Sequence, residues 1–321
     1  MSTLAGAPAA VTVIVPGFDV EPYVDDALDS LRAQTRTDWN AILVDDASTD
    51  ATGIRFDAAA AADPRFRVVH QDRRRGLGAA RNAGLELVQT PYLGFLDADD
   101  VLTPGALDRL IGSLESSGSD FALGAYVRLR PDATGAYRPG VIQPWVAAAT
   151  APARRSTTID EHPAASGNIV AWSKVSRTGF WRRNGLRFPE GRLYEDQIVA
   201  QQMYARANAF DTVPDVLVHW RERADGSSIT QHKAALPVLH DYLAAMAGGI
   251  DVLDSAGHPA AAAERVRLIL AMDLPPLVEI AREHADPGYA AALGAFVRDL
   301  ISRPDAAGLT LPAGATEAAR W

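Results

Sequence analysis

The first half of the chain alternates between short β-branched apolar runs and stretches with helical spacing. The run 11–15 ends at Pro16 and predicts a buried strand. Residues 22–33 then place Val24, Ala27, Leu28 and Leu31 on one helical face. Further strands are predicted at 41–44, 66–69, 92–96 and 121–125, with helices at 50–62, 77–88 and 104–114 between them. Thr103 is the expected N-cap of the last helix, with Pro104 in its first turn. Strand–helix alternation at this spacing implies an α/β fold: a mostly parallel sheet with helices on both faces.

The pattern changes after residue 130. Residues 131–166 are rich in Pro, Ala, Thr and Gly and predict a long irregular excursion. A strand is expected at 168–172, a helix at 195–206 and a strand at 216–220, before a flexible Gly/Ser stretch. From about 233 the chain reads as helical, and Leu293, Phe296, Val297, Leu300 and Ile301 form one apolar stripe. This divides the chain into an α/β domain over 11–230 and a C-terminal helical module over 231–305. Residues 1–10 and 306–321, small and aperiodic, are expected to be flexible tails.

Composition narrows the function. The 321 residues include no cysteine, which excludes disulfides, thiolate catalysis and cysteine metal sites. A net charge of −9 argues against a nucleic-acid partner, which would favour a basic face. No apolar stretch reaches the ~20 residues of a membrane span, and no Lys or Arg precedes Arg32 to suggest a secretory signal. The expectation is a cytoplasmic protein, with peripheral membrane contact left open.

In parallel α/β sheets, ligands bind beyond the carboxyl ends of the strands. Three predicted strands here end in acid-bearing turns: Pro16-Gly17-Phe18-Asp19, Asp45-Asp46-Ala47-Ser48, and Asp97-Ala98-Asp99-Asp100. So many carboxylates on one rim repel unless a cation or ligand donors offset them. Oxygen ligands suit Mg²⁺ or Mn²⁺, which in turn suit diphosphates. The plainer alternative is that aspartates simply favour turns and caps.

The segments VTVIVPGFDVEPYVDDALDSLRAQT, ILVDDASTDAT, GLGAARNAGL and YLGFLDADD, in this order and spacing, resemble the family 2 glycosyltransferases, which have the Rossmann-like GT-A fold. The resemblance extends from residue 11 to about 230. It implies metal-dependent transfer of a sugar from a nucleotide-diphosphate donor to an acceptor hydroxyl, with inversion at the anomeric carbon. Phe18 and Asp19 depart from the tyrosine and asparagine common in the family.

Carried onto this sequence, the resemblance implies that Pro16, Phe18 and Asp19 line the nucleoside pocket, that Asp45 bonds the base or ribose, and that Asp72 is a second nucleotide contact. Asp97 and Asp99 form an Asp-x-Asp motif, with Asp99 on the metal and Asp97 towards the ribose or sugar. Arg81 is expected near the donor, or else in a structural ion pair beneath the site. The segment GRLYEDQIVAQQMY resembles the family's Glu-Asp segment, where a helix start would hold a carboxylate ionised. An inverting transfer needs one base, and Asp196 is the choice, with Glu195 next. In VLVHWRER, His219 is a candidate metal ligand or diphosphate donor, and Arg221 and Arg223 alternate towards phosphate. Arg73 to Arg75 read as phosphate contacts or a solvated loop, and Trp172, Trp181 and Trp220 as a sugar platform or core.

The expected acceptor is a glycan, a lipid-linked glycan, a polyol phosphate or a small molecule. The 131–166 excursion and the C-terminal helices are expected to shape its site, and homo-oligomerisation through those helices is left open. Two other classes remain: a non-catalytic nucleotide-sugar-binding or assembly subunit, and a sugar nucleotidyltransferase, which would want a glycine-rich loop after the first strand.

Overall fold

The computed structural model describes residues 9–224, 226, 233–303, 306 and 308–321. Residues 1–8 of the expected N-terminal tail, and most of the Gly/Ser stretch over 225–232, lie outside the described residues.

Strands β1 (Val11–Gly17), β2 (Trp39–Asp45), β3 (Phe66–His70) and β4 (Tyr92–Phe95) lie parallel in the order β3-β2-β1-β4. Helices α1 (Val24–Arg32), α2 (Thr52–Ala62) and α3 (Leu77–Leu87) connect them. All seven residues of β1 are buried, because β1 sits between two neighbours with helices over it. That is why it reads as a continuous apolar run and not as an alternating one.

The second half extends the same sheet through β5 (Val101–Leu102), α4 (Ala106–Ser117), β6 (Phe121–Pro131), β7 (Tyr137–Pro139), α5 (Pro144–Thr150), β8 (Arg154–Thr157) and β9 (Lys174–Arg177). Helices α6 (Thr178–Arg183) and α7 (Glu195–Arg206) then lead to β10 (Phe210–Arg221). β9 runs antiparallel between β4 and β6, and β10 is parallel to β6, so the sheet is mixed beyond β4. The sheet carries helices on both faces, as expected.

Four local expectations are corrected. The 131–166 excursion is not irregular throughout: it holds β7, α5, β8 and a 3-10 turn over Pro163–Gly167. Its short elements lacked the length to show a period. Residues 168–172 are not a strand, and pairing begins at Lys174. Thr103 does not cap α4: its hydroxyl donates to the Val216 carbonyl at 2.8 Å, and Gly105, at φ 77°, takes the cap position. Finally, the expected tail over 306–321 is structured at α12 (Ala313–Ala318), which buries Ala315 and Ala318.

The C-terminal helices α8 (Leu236–Ser255), α9 (Pro259–Leu268), α10 (Leu274–Glu283) and α11 (Pro287–Ser302) pack into the same apolar core as the sheet. The α11 stripe is buried at Leu293, Phe296, Val297 and Leu300, with Ile301 at its margin. α7 lies between sheet and helices and brings its first turn towards the strand ends.

Glycine sets how closely α3 approaches β1. A Cβ at Gly84 would lie 2.5 Å from Ile14 Cγ2, whereas one at Gly112 on α4 would meet nothing within 4 Å. Gly84→Ala should therefore destabilise the fold by about 1–3 kcal/mol through overpacking. Gly112→Ala should stabilise it by up to about 1 kcal/mol through helix propensity. Urea denaturation of both variants checks the opposite signs.

Candidate active site

The turns after β1, β2 and β4 meet the start of α7 and the end of β10 around a cavity of about 530 Å³. Of the sequence-predicted residues, Pro16, Phe18, Asp19, Arg81, Asp97, Asp99, Glu195, Asp196, Arg221 and Arg223 line it. Asp45, Asp72 and His219 do not. Among the described residues, none of the lining comes from 131–166 or from the C-terminal helices, which were expected to shape the acceptor side. Helix α8 acts at one remove: Tyr242 packs on the lining Tyr194 at 4.2 Å between ring centroids, and Asp241 accepts the Leu193 N–H at 3.0 Å.

Arg81 is the centre of the site. Gly78, at the start of α3, leaves no room for a Cβ, which would lie 2.1 Å from the Pro189 carbonyl oxygen. That contact brings α3 against the segment leading into α7. Arg81 is 1% exposed. Its Nη2 donates to Asp97 Oδ1 at 2.6 Å, and its Nη1 donates to Glu195 Oε1. Asn82 fixes the same junction by exchanging hydrogen bonds with the Phe188 backbone at 2.9 and 3.0 Å. Burial alone would lower the Arg81 pKa, but Asp97, Glu195 and Asp196 raise it, so the guanidinium stays charged. Arg81 is thus both at the site and in a buried ion pair, the two readings left open from the sequence.

The acids respond to burial. Burial pushes Glu195 up to about 7, against the pull of Arg81. Burial also raises Asp97 and Asp196, with Arg81 opposing in both and Lys174 also opposing at Asp196. Burial disfavours the charged form of both acids at this helix start, while Arg81 and the backbone N–H groups there favour it. Glu195 is committed to Arg81, whereas no other side chain donates a hydrogen bond to Asp196 among the described residues.

Two arginines hold the Asp-x-Asp turn. Arg223 Nε donates to Asp99 Oδ2 at 2.7 Å. Arg221 donates its backbone N–H to Asp100 Oδ1 at 2.8 Å and its Nε to the Asp99 carbonyl at 2.7 Å. Its Nη2 reaches Asp26 at 2.8 Å, and its guanidinium lies 4.4 Å from the Tyr137 ring centroid. Arg221 is therefore spent on the turn rather than turned freely to a phosphate. Asp100 is buried, and burial with Asp99 and Asp97 nearby pushes it well up.

The second strand uses its two acids differently from expectation. The β2–β3 register sets Asp45 beside His70, and Asp45 Oδ2 pairs with His70 Nδ1 at 2.9 Å, behind the cavity wall. Asp46 lines the cavity and accepts the N–H groups of Arg75 and Gly76 at 2.7 and 2.8 Å. Sequence reasoning passed over Asp46, and only the register distinguishes the two. Asp72 is exposed and off the cavity. Of the arginine run, Arg74 lines the cavity, 4.0 Å from the Phe18 ring centroid. Trp172 and Trp220 also line it, while Trp181 does not.

Half-buried His219 pairs along the ladder with Val101 of β5, and burial lowers its pKa. It lies outside the cavity lining, away from Asp97 and Asp99, which line it. Among the described residues, no three His, Asp or Glu side chains are grouped to hold a cation. No described helix is long and apolar enough to cross a membrane.

A family described as "Glycosyl transferase family 2" matches residues 12–180, more than half of the chain. The uncharacterized glycosyltransferase EpsJ of Bacillus subtilis (strain 168) is 28% identical over 229 residues, covering 70% of this chain. The chain spans 65% of EpsJ, less than two thirds of that relative's length. Among solved structures, S. aureus TarS 1-349 in complex with UDP-GlcNAc superposes with a TM-score of 0.72 at 20% identity, over 90% of this chain and 81% of that one. The mannosyltransferase PcManGT from Pyrobaculum calidifontis, in complex with GDP-Man and Mn²⁺, gives 0.53 at 19% identity, over 98% of this chain and 87% of that one. These likenesses establish the fold, which is the GT-A fold expected from the sequence.

The bridge behind the cavity has a definite pH signature. Hydrogen bonds donated to Asp45 and then to Asp57 raise the His70 pKa. Burial works against the Asp45 charge, but bonds from Ser48 and His70 win and lower its pKa. The histidine contribution is complete below its unfolded value of roughly 6.5 and is lost as pH rises through the folded value. The Asp45 contribution is present above roughly 4 and is lost as pH falls through its lowered folded value. His70→Gln should therefore lower the urea midpoint most near pH ~5.5 and progressively less above neutrality. Denaturation across pH checks this; a loss equal at all pH values would assign His70 to packing alone.

Proposed function

This chain belongs to glycosyl transferase family 2, and from that premise we propose that it moves a sugar from a nucleoside-diphosphate donor to an acceptor hydroxyl, with inversion and Asp196 as the general base. The observation that carries this reading is the contrast between two adjacent acids on one cavity wall. Glu195 is bound to Arg81, while Asp196 has no side-chain donor among the described residues and faces the cavity. A base must be free to accept a proton from the attacking hydroxyl.

In this reading the donor lies along the N-terminal wall. Phe18 and Asp19 flank its nucleoside, and the diphosphate reaches the Asp97–Asp99 turn. The nucleoside contact first assigned to Asp45 passes to groups that line the cavity. The acceptor enters from the wall of Val170, Trp172 and Trp220, so that its hydroxyl meets Asp196. The UDP-GlcNAc and GDP-Man complexes of TarS and PcManGT support this class of donor.

A divalent cation fits the donor set at this turn. Arg81 occupies Asp97 Oδ1 and Arg223 occupies Asp99 Oδ2, leaving one carboxylate oxygen on each side chain with no hydrogen bond among the described residues. Two carboxylate oxygens completed by diphosphate oxygens and water are the usual set for Mg²⁺. Asp97 and Asp99 would hold Mg²⁺ or Mn²⁺, the latter being the ion in the PcManGT complex. When bound, such an ion supplies positive charge to the leaving diphosphate. Asp196 takes the proton from the acceptor, and Arg81 keeps the Asp97 and Glu195 charges balanced beneath the reacting atoms.

UDP and GDP should bind more tightly with Mn²⁺ or Mg²⁺ than with chelator, and Asp99→Asn should remove most of that difference. Calorimetry on both proteins measures it; equal affinity with and without chelator would leave arginines as the only charge partners of the diphosphate.

Asp196→Asn should lower kcat by ~10²–10⁴-fold with donor affinity retained, since the base acts on the acceptor. The acid limb of the wild-type pH–rate profile should lie above the ordinary carboxylate range of about 4, because burial raises Asp196 and the base works only when ionised. Glu195→Gln should behave differently, losing about 3–5 kcal/mol of stability by breaking a buried ion pair. Transfer assays with UDP-GlcNAc and GDP-mannose over a sugar panel, alongside denaturation, separate the two. A stable Glu195→Gln with no turnover, beside a near-normal Asp196→Asn, would move the base by one residue.

A further inference from the structure

Lys174 is buried, and its charge bears on Asp196, but none of its hydrogen bonds has been given a role above. It opens β9, directly after an irregular, largely buried segment, 168–173. Apart from Ser173, whose carbonyl accepts the Gly124 N–H, the segment has no strand ladder to satisfy its carbonyl groups, and the buried ones need partners. Lys174 supplies three hydrogen bonds at once. Its Nζ donates to the Asn168 carbonyl at 2.8 Å, to Asn168 Oδ1 at 2.6 Å and to the Val170 carbonyl at 2.6 Å. An ammonium has three donors and no acceptor, so these three acceptors use it completely.

Asn168 is fully buried, and its carbonyl also accepts the Tyr204 hydroxyl at 3.0 Å, while its Oδ1 accepts the Ser173 hydroxyl at 2.9 Å. The bonds converge on a backbone whose next residues form a wall of the cavity. Val170 and Trp172 both line it. Trp172 stacks on Trp220 with centroids 6.4 Å apart and planes 27° apart, and meets Tyr126 edge-on at 4.8 Å. The N-terminal wall comes from other elements altogether, from Pro16 to Asp99.

We propose that Lys174 is a positioning residue for the acceptor side of the cavity: its ammonium ties down 168–172 and so holds Val170 and Trp172 against Trp220 as the surface that receives the acceptor. The proposal rests on the glycosyl-transfer reading of this cavity. It separates two roles within one site, since the knot touches the C-terminal wall and leaves the donor wall untouched.

Lys174→Met keeps the length of the side chain and removes all three donors. Using the sugar acceptor on which the wild-type protein is active in the transfer assay, the acceptor KM should rise at least about tenfold, equivalent to ~1.4 kcal/mol. The donor KM, and UDP affinity by calorimetry, should stay within about twofold. Tryptophan near-ultraviolet circular dichroism should change as the Trp172–Trp220 stack loosens. The KM values decide the test, because removing the Lys174 charge also acts on Asp196 and hence on kcat. Donor and acceptor KM rising together, or neither rising, would overturn the proposal. Should Lys174→Met not fold, Trp172→Phe tests the same wall, and an unchanged acceptor KM there would equally overturn it. A wild-type protein that binds neither UDP nor GDP would instead sink the glycosyl-transfer reading itself.

Discussion

The buried bridge from Asp97 through Arg81 to Glu195 is the constraint around which this site is arranged. A guanidinium that is 1% exposed is costly to desolvate, and only paired, hydrogen-bonded carboxylates offset that cost. The two partners come from distant parts of the chain, the turn after β4 and the first turn of α7. Arg81 therefore fixes the distance between the acid-bearing strand ends and the Glu-Asp helix. The glycines of α3 make this possible. Gly84 lets the helix settle on Ile14, and Gly78 lets the 188–190 segment approach its first turn. Asn82 then clasps that segment by its backbone.

The same logic of paired charge runs along the acid rim. Asp97, Asp99 and Asp100 lie within four residues and would repel one another strongly if left alone. Arg81, Arg223 and Arg221 each take part of that charge, through carboxylate oxygens, a carbonyl and a backbone N–H. Arg221 in turn lies against the rings of Tyr137 and Tyr23. The short β7 hairpin, far from the site in sequence, is thereby tied to the acid turn. The C-terminal helices contribute in a similar indirect way, by packing Tyr242 and Asp241 behind the loop that presents α7.

Charge pairing also separates neighbours that look alike in sequence. Asp45 faces His70 and Asp46 faces the cavity, because successive residues at a strand end point to opposite sides and the β2–β3 register brings His70 alongside Asp45. Glu195 and Asp196 differ for a comparable reason. On a helix, consecutive residues point about 100° apart, so Arg81 can bond one and leave the other facing the cavity.

Much of the fold was legible because buried parallel strands write themselves as apolar runs. The runs at 11–15, 41–44, 66–69 and 92–96 each became a strand, and the acids that follow them stand at its carboxyl end. The ordered motifs identified the family for the same reason: they are the strand ends and the helix that the site needs. Short elements escaped, since β7, α5 and β8 span too few residues to express a period. The last residues looked free because their partners lie far back in the chain: Trp321 sits against Gly294 of α11, where a Cβ would lie 2.7 Å from the Trp321 carbonyl carbon. Local composition determined which residue types stood at the strand ends and which stretches were helical. Tertiary structure alone decided which acids share Arg81, which aspartate faces the cavity, and that His219 stays out of it, because each depends on a register or a helix approach set by residues far away in the chain.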